Sequence, residues 1–431
     1  MKKVLSLLTA FAMAATMMVG CGSGASSEAK DPAAESGSQA SAPAGDKQYD
    51  GVTLNMWSMW SPGEPQANVL TEAAKAFEEK TGAKIEISFK GREINKIIQA
   101  SLEAKDDIDI FEDDYQRIAN TYKDYVTDLT DMAKAVNYEA QSYACLNKTA
   151  TEWAGFLPCI TEQPQVGGVF YNQDVFNKLS IEAPTTWDQF LTACQTMKDN
   201  GVAPMALDSA YTTFNFGYHL ARAVGQDGVI DLATKGGWAA NEAAVKAADQ
   251  VIDFVNKGYL AEGAPDEYPS SQDKIGLTGD VAMVVCANYV APEVNQHSGK
   301  ELNWGMFNYP ALEGGADAES AYAGANSLAI PKNSKNPQAA FDFCIFLTSG
   351  EMDQKMADTA QQIPADPRNT APAVMNGTVE TLMAADNTLE WNMGLNRNSE
   401  LQPSIQENIT KLYEGKFATG AEFAAAMDAL Y

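Results

Sequence analysis

Three observations predict an α/β chain with doubly wound, parallel sheets in two domains. Residues 52–115 alternate strand and helix patterns three times over, the pattern of a parallel sheet with crossover helices. The 431 residues exceed what one hydrophobic core usually organises, so two domains are expected. A well-punctuated stretch near the middle, Gly167 to Pro204, reads as strand, short helix, proline stop and long capped helix, a segment fit to carry the chain from one lobe into another past a ligand cleft.

Val52, Leu54 and Met56 alternate with polar residues and form the first strand. The loop Trp57–Glu64 follows. Val69, Leu70, Ala73, Ala74 and Phe77 mark an amphipathic helix, which Gly82 closes. Ile85, Ile87 and Phe89 make a second strand, and Ile94, Ile97, Ile98 and Leu102 a second helix. Ile108, Ile110 and Phe111 make a third strand that ends in Glu112-Asp113-Asp114-Tyr115. Ligands of such sheets sit beyond the carboxyl ends of the strands. Trp57, Trp60, Glu112, Asp113 and Asp114 are therefore candidate ligand contacts.

In the middle stretch, Val169, Phe170 and Tyr171 form an apolar run after Gly167-Gly168, a pair that could serve as a hinge. Asn172 can cap a short helix that buries Val175, Phe176 and Leu179, and Pro184 stops it. Thr186 with Gln189 predicts a capping box. Trp187, Phe190, Leu191, Cys194 and Met197 fall on one face of the next helix, so Trp187 reads as core. Asn200-Gly201 supplies its left-handed end. Further on, Phe214–Val224 and Glu242–Val255 read as helices, Met283–Val285 as a strand, and Ile405–Tyr413 and Phe423–Leu430 as the last helices.

The formal charge of −27 repels phosphate backbones and anionic lipid, which argues against nucleic-acid binding. Membrane attachment needs another basis, and the N-terminus offers one. Lys2 and Lys3 precede an apolar run, Val4 to Val19, too short for a spanning helix. It ends Met18-Val19-Gly20-Cys21, which resembles the lipobox of bacterial lipoprotein signal peptides. That resemblance implies lipidation of Cys21 as the first mature residue. Residues 22–49, rich in Ser, Gly, Ala and Pro, read as a flexible tether. Apart from Cys21, five cysteines remain; Cys194, Cys286 and Cys344 read as buried thiols, and Cys145 with Cys159 could form a disulfide.

The stretch FYNQDVFNKLSIEAPTTWDQF resembles the crossover segment of the extracellular solute-binding proteins of ABC importers, the maltose-binding-protein-like family, through Tyr171-Asn172 and Pro184-Thr185-Thr186-Trp187. Other motifs follow in that family's order. They are Ser271–Met283, leading into a strand, with Leu277 and Asp280 as departures, Tyr322–Ile330, the helix within AAFDFCIFLTSGEMDQKMAD, and Gln361–Ala365. The resemblance implies a type II periplasmic-binding-protein fold, two doubly wound α/β lobes joined by a hinge. The lobes are expected to be discontinuous, with 50–166 and 306–350 in the first and 167–305 and 351–431 in the second.

The resemblance also implies ligand positions: Gln165 before the crossover, Tyr211 and Phe214 in a loop entering a helix, and Asn288 and Tyr289 after the strand ending at Val285; Asn326 in AGANS could hydrogen-bond a ligand across the hinge, and Trp391 in the C-terminal part could close the cleft. Aromatic faces with planar polar side chains suit a neutral sugar. With His219 and His297 the only histidines, a histidine triad or multi-histidine metal site is hard to build. Glu112–Asp114 could instead serve a glycoside hydrolase or a calcium ion, or be a solvated loop. The expectation is a monomeric, lipid-anchored substrate-binding subunit without cofactor or metal. It lies at the outer face of the cytoplasmic membrane, is held there through the lipid alone, captures a carbohydrate by hinge closure and hands it to a membrane permease. A surface-anchored glycoside hydrolase and an acidic cell-surface interaction protein are the alternatives.

Overall fold

The computed structural model describes residues 47–431; Cys21 and most of the tether lie outside the described residues. Nine strands are present among them: β1 (Thr53–Ser58), β2 (Lys84–Phe89), β3 (Ile110–Asp114), β4 (Ile160–Asn172), β5 (Ala203–Ala206), β6 (Val281–Ala287), β7 (Trp304–Phe307), β8 (Ala321–Ala329) and β9 (Thr388–Leu389). They run in the order β2-β1-β3-β8-β4-β6-β5, with β7 also on β4 and β9 on β8.

The long strand β4 joins two lobes. Ile160–Val166 pair with β8, whereas Gly167–Tyr171 pair with β6 and Val169–Asn172 with β7. The strand therefore leaves one sheet and enters the other between Val166 and Gly167. In the first lobe β1, β2 and β3 are parallel, but β8 runs antiparallel to both β3 and β4. The sheet is thus mixed rather than wholly parallel, because β8 enters from the junction end after the chain has been through the second lobe.

Local signals from the sequence act where they stand. Asn172 caps the helix Gln173–Leu179 by accepting from the Asp174 amide. Thr186 and Gln189 form the reciprocal capping box at the start of Trp187–Asp199. Gly201 takes the left-handed φ of 75° that ends this helix. The helix that opens at Thr212 runs past Val224 to Lys235, with non-helical backbone at Gly225. Five thiols, Cys145 and Cys159 included, are free and buried. The Cys145–Cys159 bridge is therefore not made.

One core lines the first sheet with Phe111, Val166, Phe341 and Phe343 and continues onto one face of the second sheet through Ile275, Val290 and Trp304. The opposite face of the second sheet has its own core of Trp187, Phe190, Phe216, Trp238, Phe254 and Phe423. Trp187 is core, stacked on Phe190 at 5.3 Å. The expected passage into the second lobe at residue 351 is corrected by this packing. Helix Gly350–Ala360 lies on helix Pro65–Thr81 and buries Met356 in the first core. Leu382 and Ala385 still belong to that core, and Leu389 and Met393 to the other. The expected return at 306 is also early, since β7 remains paired with β4 through Phe307.

Candidate functional site

The carboxyl ends of β1 and β3, the start of β8 and the middle of β4 meet at the junction of the lobes. Pairing places Asp114 opposite Asn326, Gln163 opposite Asn326 and Gln165 opposite Gly324. Period-2 alternation puts Tyr322, Gly324 and Asn326 on one face of β8. The Asn326 amide donates to Gln163 Oε1 at 3.3 Å, and the Tyr322 hydroxyl donates to Gln165 Oε1 at 3.3 Å. A row of planar polar groups thus runs along this edge.

An aromatic wall adjoins the row from the second lobe. Trp391 lies 4.7 Å from Phe214, 5.3 Å from Tyr322 and 6.4 Å from Tyr211, centroid to centroid. Tyr211 in turn meets Tyr289 at 6.4 Å and Tyr268 at 5.8 Å. The turn that carries Trp391 is held in left-handed backbone at Asn392 and Met393, both with φ of 53°. Such backbone persists only where packing over-determines it. Here Met393 is fully buried, and the turn seats on Gly217, where an added Cβ would stand 2.7 Å from the Asn392 carbonyl oxygen.

Seven of the twelve candidates keep partial exposure: Trp57, Asp114, Gln165, Tyr211, Tyr289, Asn326 and Trp391. The other five are buried, and each has a structural occupation. Phe214 is fully buried behind Trp391. Asn288 ties the lobe junction, its Oδ1 accepting from the Val166 amide at 3.1 Å. Trp60 packs in the first core under the Arg92 guanidinium, 4.4 Å from its ring. Asp113 is fully buried and ion-paired to Arg117. Glu112 is fully buried and accepts from Ser58 Oγ and the Met59 amide, both at 2.7 Å. The Glu112–Asp114 run is therefore the end of a strand, not a solvated loop. Asp114 caps the helix Tyr115–Asn120 through the Gln116 and Arg117 amides, and burial raises its carboxyl above the usual range. Trp57 has one face covered by the Lys90 ammonium at 4.1 Å, and no ring contact among the described residues joins it to the aromatic wall.

Gly167 and Gly168 lie in paired strand opposite Ala287 and Cys286. A Cβ at Gly167 would meet the Phe214 and Tyr322 rings at 2.7 and 2.8 Å. At Gly168 it would meet Met306 Cε and the Phe307 carbonyl oxygen at 2.5 and 2.6 Å. Close approach, rather than free backbone rotation, accounts for glycine at both places. Gln163, Tyr268 and Tyr322 complete the site and were not singled out from the sequence. Alternation from Asn326 and from Gln165 along their strands would have found Tyr322 and Gln163.

A family model for bacterial extracellular solute-binding proteins matches residues 62–354, more than half of the chain. The chain belongs to this family. Among curated relatives, the multiple sugar-binding protein of Streptococcus mutans is 25% identical over 205 residues, 45% of this chain and 47% of that protein. This solute-binding protein thus aligns with about half the length of that relative. Among solved structures, a bacterial solute receptor described as having an exclusive preference for β-D-galactopyranose aligns with a TM-score of 0.71 at 16% identity, covering 89% of this chain and 98% of that one. A sugar transporter protein of Bacillus licheniformis, solved with stachyose, aligns at 0.58 with 18% identity, over 88% and 99%. At such identities the structures establish the shared two-lobed fold. The proteins of this family are binding proteins that act outside the cytoplasm. No helix among the described residues is long and apolar enough to cross a membrane.

Proposed function

We propose that this solute-binding protein captures a carbohydrate, an oligosaccharide by preference, between its lobes and presents it to the permease of an ABC importer. The observation that carries this reading is the wall of Trp391, Tyr211 and Tyr289 beside the polar row of Asp114, Asn326, Gln163 and Gln165. Aromatic faces take up the apolar C–H patches of a sugar, while planar carboxylate and amide groups hold its hydroxyls. The sugars of the structural relatives, β-D-galactopyranose and stachyose, point the same way.

Ligand capture works by differential affinity. A sugar that touches both lobes favours the closed arrangement by the contacts it makes only there. The partner switch of β4 at Val166–Gly167 is the place to bend. No covalent step is required. Glu112 is buried and already bonded to Ser58 and Met59, and Asp114 is engaged at a helix start, which supports binding over glycoside hydrolysis. We place the monomer outside the cytoplasm, held to the membrane through lipidated Cys21.

Titration calorimetry of the purified chain against galactose, stachyose and maltotetraose tests the reading. Saturable heat with at least one sugar is expected. Silence with every sugar, together with binding of a peptide or polyamine, would overturn it.

A further inference from the structure

Behind the ligand end of the first sheet lies a buried pair of carboxyls that ligand contact leaves unused. Glu112 and Glu162 are 0% and 2% exposed. Glu112 stands on β3, and Glu162 is the residue skipped where the β4–β8 ladder shifts register between Thr161 and Gln163. A bulge of this kind re-aims a side chain. Here it brings Glu162 into electrostatic contact with Glu112, and each perturbs the other's titration. Glu112 Oε1 and both Glu162 oxygens have no hydrogen-bond partner when both groups are acceptors only. One proton held between them supplies the missing donor.

The remaining oxygen of Glu112 is fully used. Oε2 accepts from Ser58 Oγ and from the Met59 amide at 2.7 Å each, and Ser58 Oγ accepts from the Trp60 amide at 3.2 Å. Arg92 bonds the Met59 carbonyl at 2.7 Å and covers the Trp60 ring. The Met59 and Trp60 amides and the Met59 carbonyl are thus tied, directly or through Ser58, to one buried carboxylate and one arginine, while the Lys90 and Gly91 amides hold the Ser58 and Trp60 carbonyls. The other ionisable groups that face the pair are Asp353, on the Glu162 side, and Cys344.

We infer that Glu112 is the positioning residue of the Ser58–Trp60 turn, and that Glu162 serves it by sharing a proton, so that Glu112 keeps Oε2 free for Ser58 and Met59. The consequence for ligand rests on the proposed sugar site; the positioning itself does not. Removing the Glu112 carboxylate frees the Ser58–Trp60 turn that follows Trp57. Removing the charge of Glu162 but keeping a donor, as glutamine does, leaves the turn in place.

Hydrogen exchange on the unliganded full chain tests this without any sugar. In Glu112→Ala, exchange at the Met59 and Trp60 amides should rise about tenfold or more, while helix Pro65–Thr81 and strand β2 keep their protection. Glu112→Gln, which retains one acceptor, should recover part of the loss, and Glu162→Gln should match wild type at these amides. Should Glu112→Ala fail to fold, Ser58→Ala removes the relay to Trp60 and should unprotect the Trp60 amide alone. Unchanged exchange at Met59 and Trp60 in Glu112→Ala or Ser58→Ala overturns the inference. So does a rise spread evenly over the first lobe. Absence of sugar binding by the wild-type chain, with the exchange pattern as expected, counts against the sugar site alone.

Discussion

The Tyr218 hydroxyl lies 3.0 Å from the Gly167 carbonyl oxygen, at the point where β4 changes sheets. The same hydroxyl lies 3.0 Å from Asn308 Oδ1 on the second connection and accepts from the Tyr322 amide at 2.8 Å at the start of β8. One oxygen thus ties together three passages of chain at the lobe junction. Fully buried Arg222 reinforces it, donating to Asn308 Oδ1 and to the Tyr309 carbonyl at 3.0 Å each. Tyr218→Phe keeps the ring but leaves the Tyr322 N–H and the Gly167 carbonyl without this partner. Buried groups orphaned in this way cost about 1–3 kcal/mol. The variant should lose that much in urea denaturation, and an unchanged midpoint would show that the junction is held elsewhere.

Trp391 is the residue whose loss should separate binding from folding. It is half-buried and its ring covers Phe214 and Tyr322. Trp391→Ala should weaken sugar binding by about 1–2 orders of magnitude, the scale of losing a buried aromatic anchor, while the far-ultraviolet circular dichroism stays that of wild type. Gly217→Ala should act in the same direction from underneath, because the added methyl would press on the Asn392 backbone rather than on a side chain that could turn away. Equal affinity in both variants and wild type would remove the aromatic wall from the site.

The sequence made the scaffold legible wherever a local device sets the structure. The Thr186–Gln189 box, the Asn172 cap and the strand patterns at Leu54, Ile85 and Ile110 need no distant partner to be read. The half-exposed members of the site were legible for a related reason: they follow strand ends or sit beside recognisable motifs. Glu112, Asp113 and Trp60 misled because their burial depends on residues far along the chain. A run of three acids reads as surface until β8 covers Glu112 and Asp113 from more than two hundred positions away, and until Arg117 pairs with Asp113. Glu162 gave no signal at all, since only a ladder irregularity brings it to Glu112. The helix Gly350–Ala360 was placed in the wrong lobe because an amphipathic stripe does not say which sheet it covers.

The carboxyl pair also sets a direction for stability against pH. Burial pushes Glu112 up to about 7, and burial with Glu112 alongside holds Glu162 well above the usual carboxylate range. An unfolded glutamate titrates near 4.3. Above that value the folded chain holds more protons than the unfolded one, so stability falls as pH rises, at up to about 1 kcal/mol per pH unit for each such group. Asp208 and Asp353, both pushed up to about 6 by burial, tilt the curve the same way. Buried His219, held down to about 4, tilts it the other way: its contribution is lost as pH falls from 6.5 towards 4. The difference between variants therefore carries the information. Glu162→Gln should flatten the decline in urea midpoint between pH 5 and pH 8, and a decline identical to wild type would mean that Glu162 does not hold the proton.

Gly168 provides the sharpest test of how tightly the two sheets are joined. Its site for a Cβ is closed on one side by the Met306 methyl, which could move, and on the other by the Phe307 carbonyl oxygen at 2.6 Å, which belongs to the paired strand β7 and could not. At Gly167 the nearest obstacles are the Phe214 and Tyr322 rings. Gly168→Ala must therefore separate β4 from β7, whereas Gly167→Ala must displace rings of the aromatic wall. Overpacking of a dense interior costs about 1–3 kcal/mol, and more where backbone has to shift. Gly168→Ala is expected at or above the top of that range in chemical denaturation, with sugar affinity little changed in the fraction that folds. Gly167→Ala is expected to cost less stability and to lose more affinity, because its methyl enters beneath Tyr322 and Phe214, the rings on which Trp391 rests. The reverse order, with affinity lost in Gly168→Ala and kept in Gly167→Ala, would place the ligand on the β7 side of the junction.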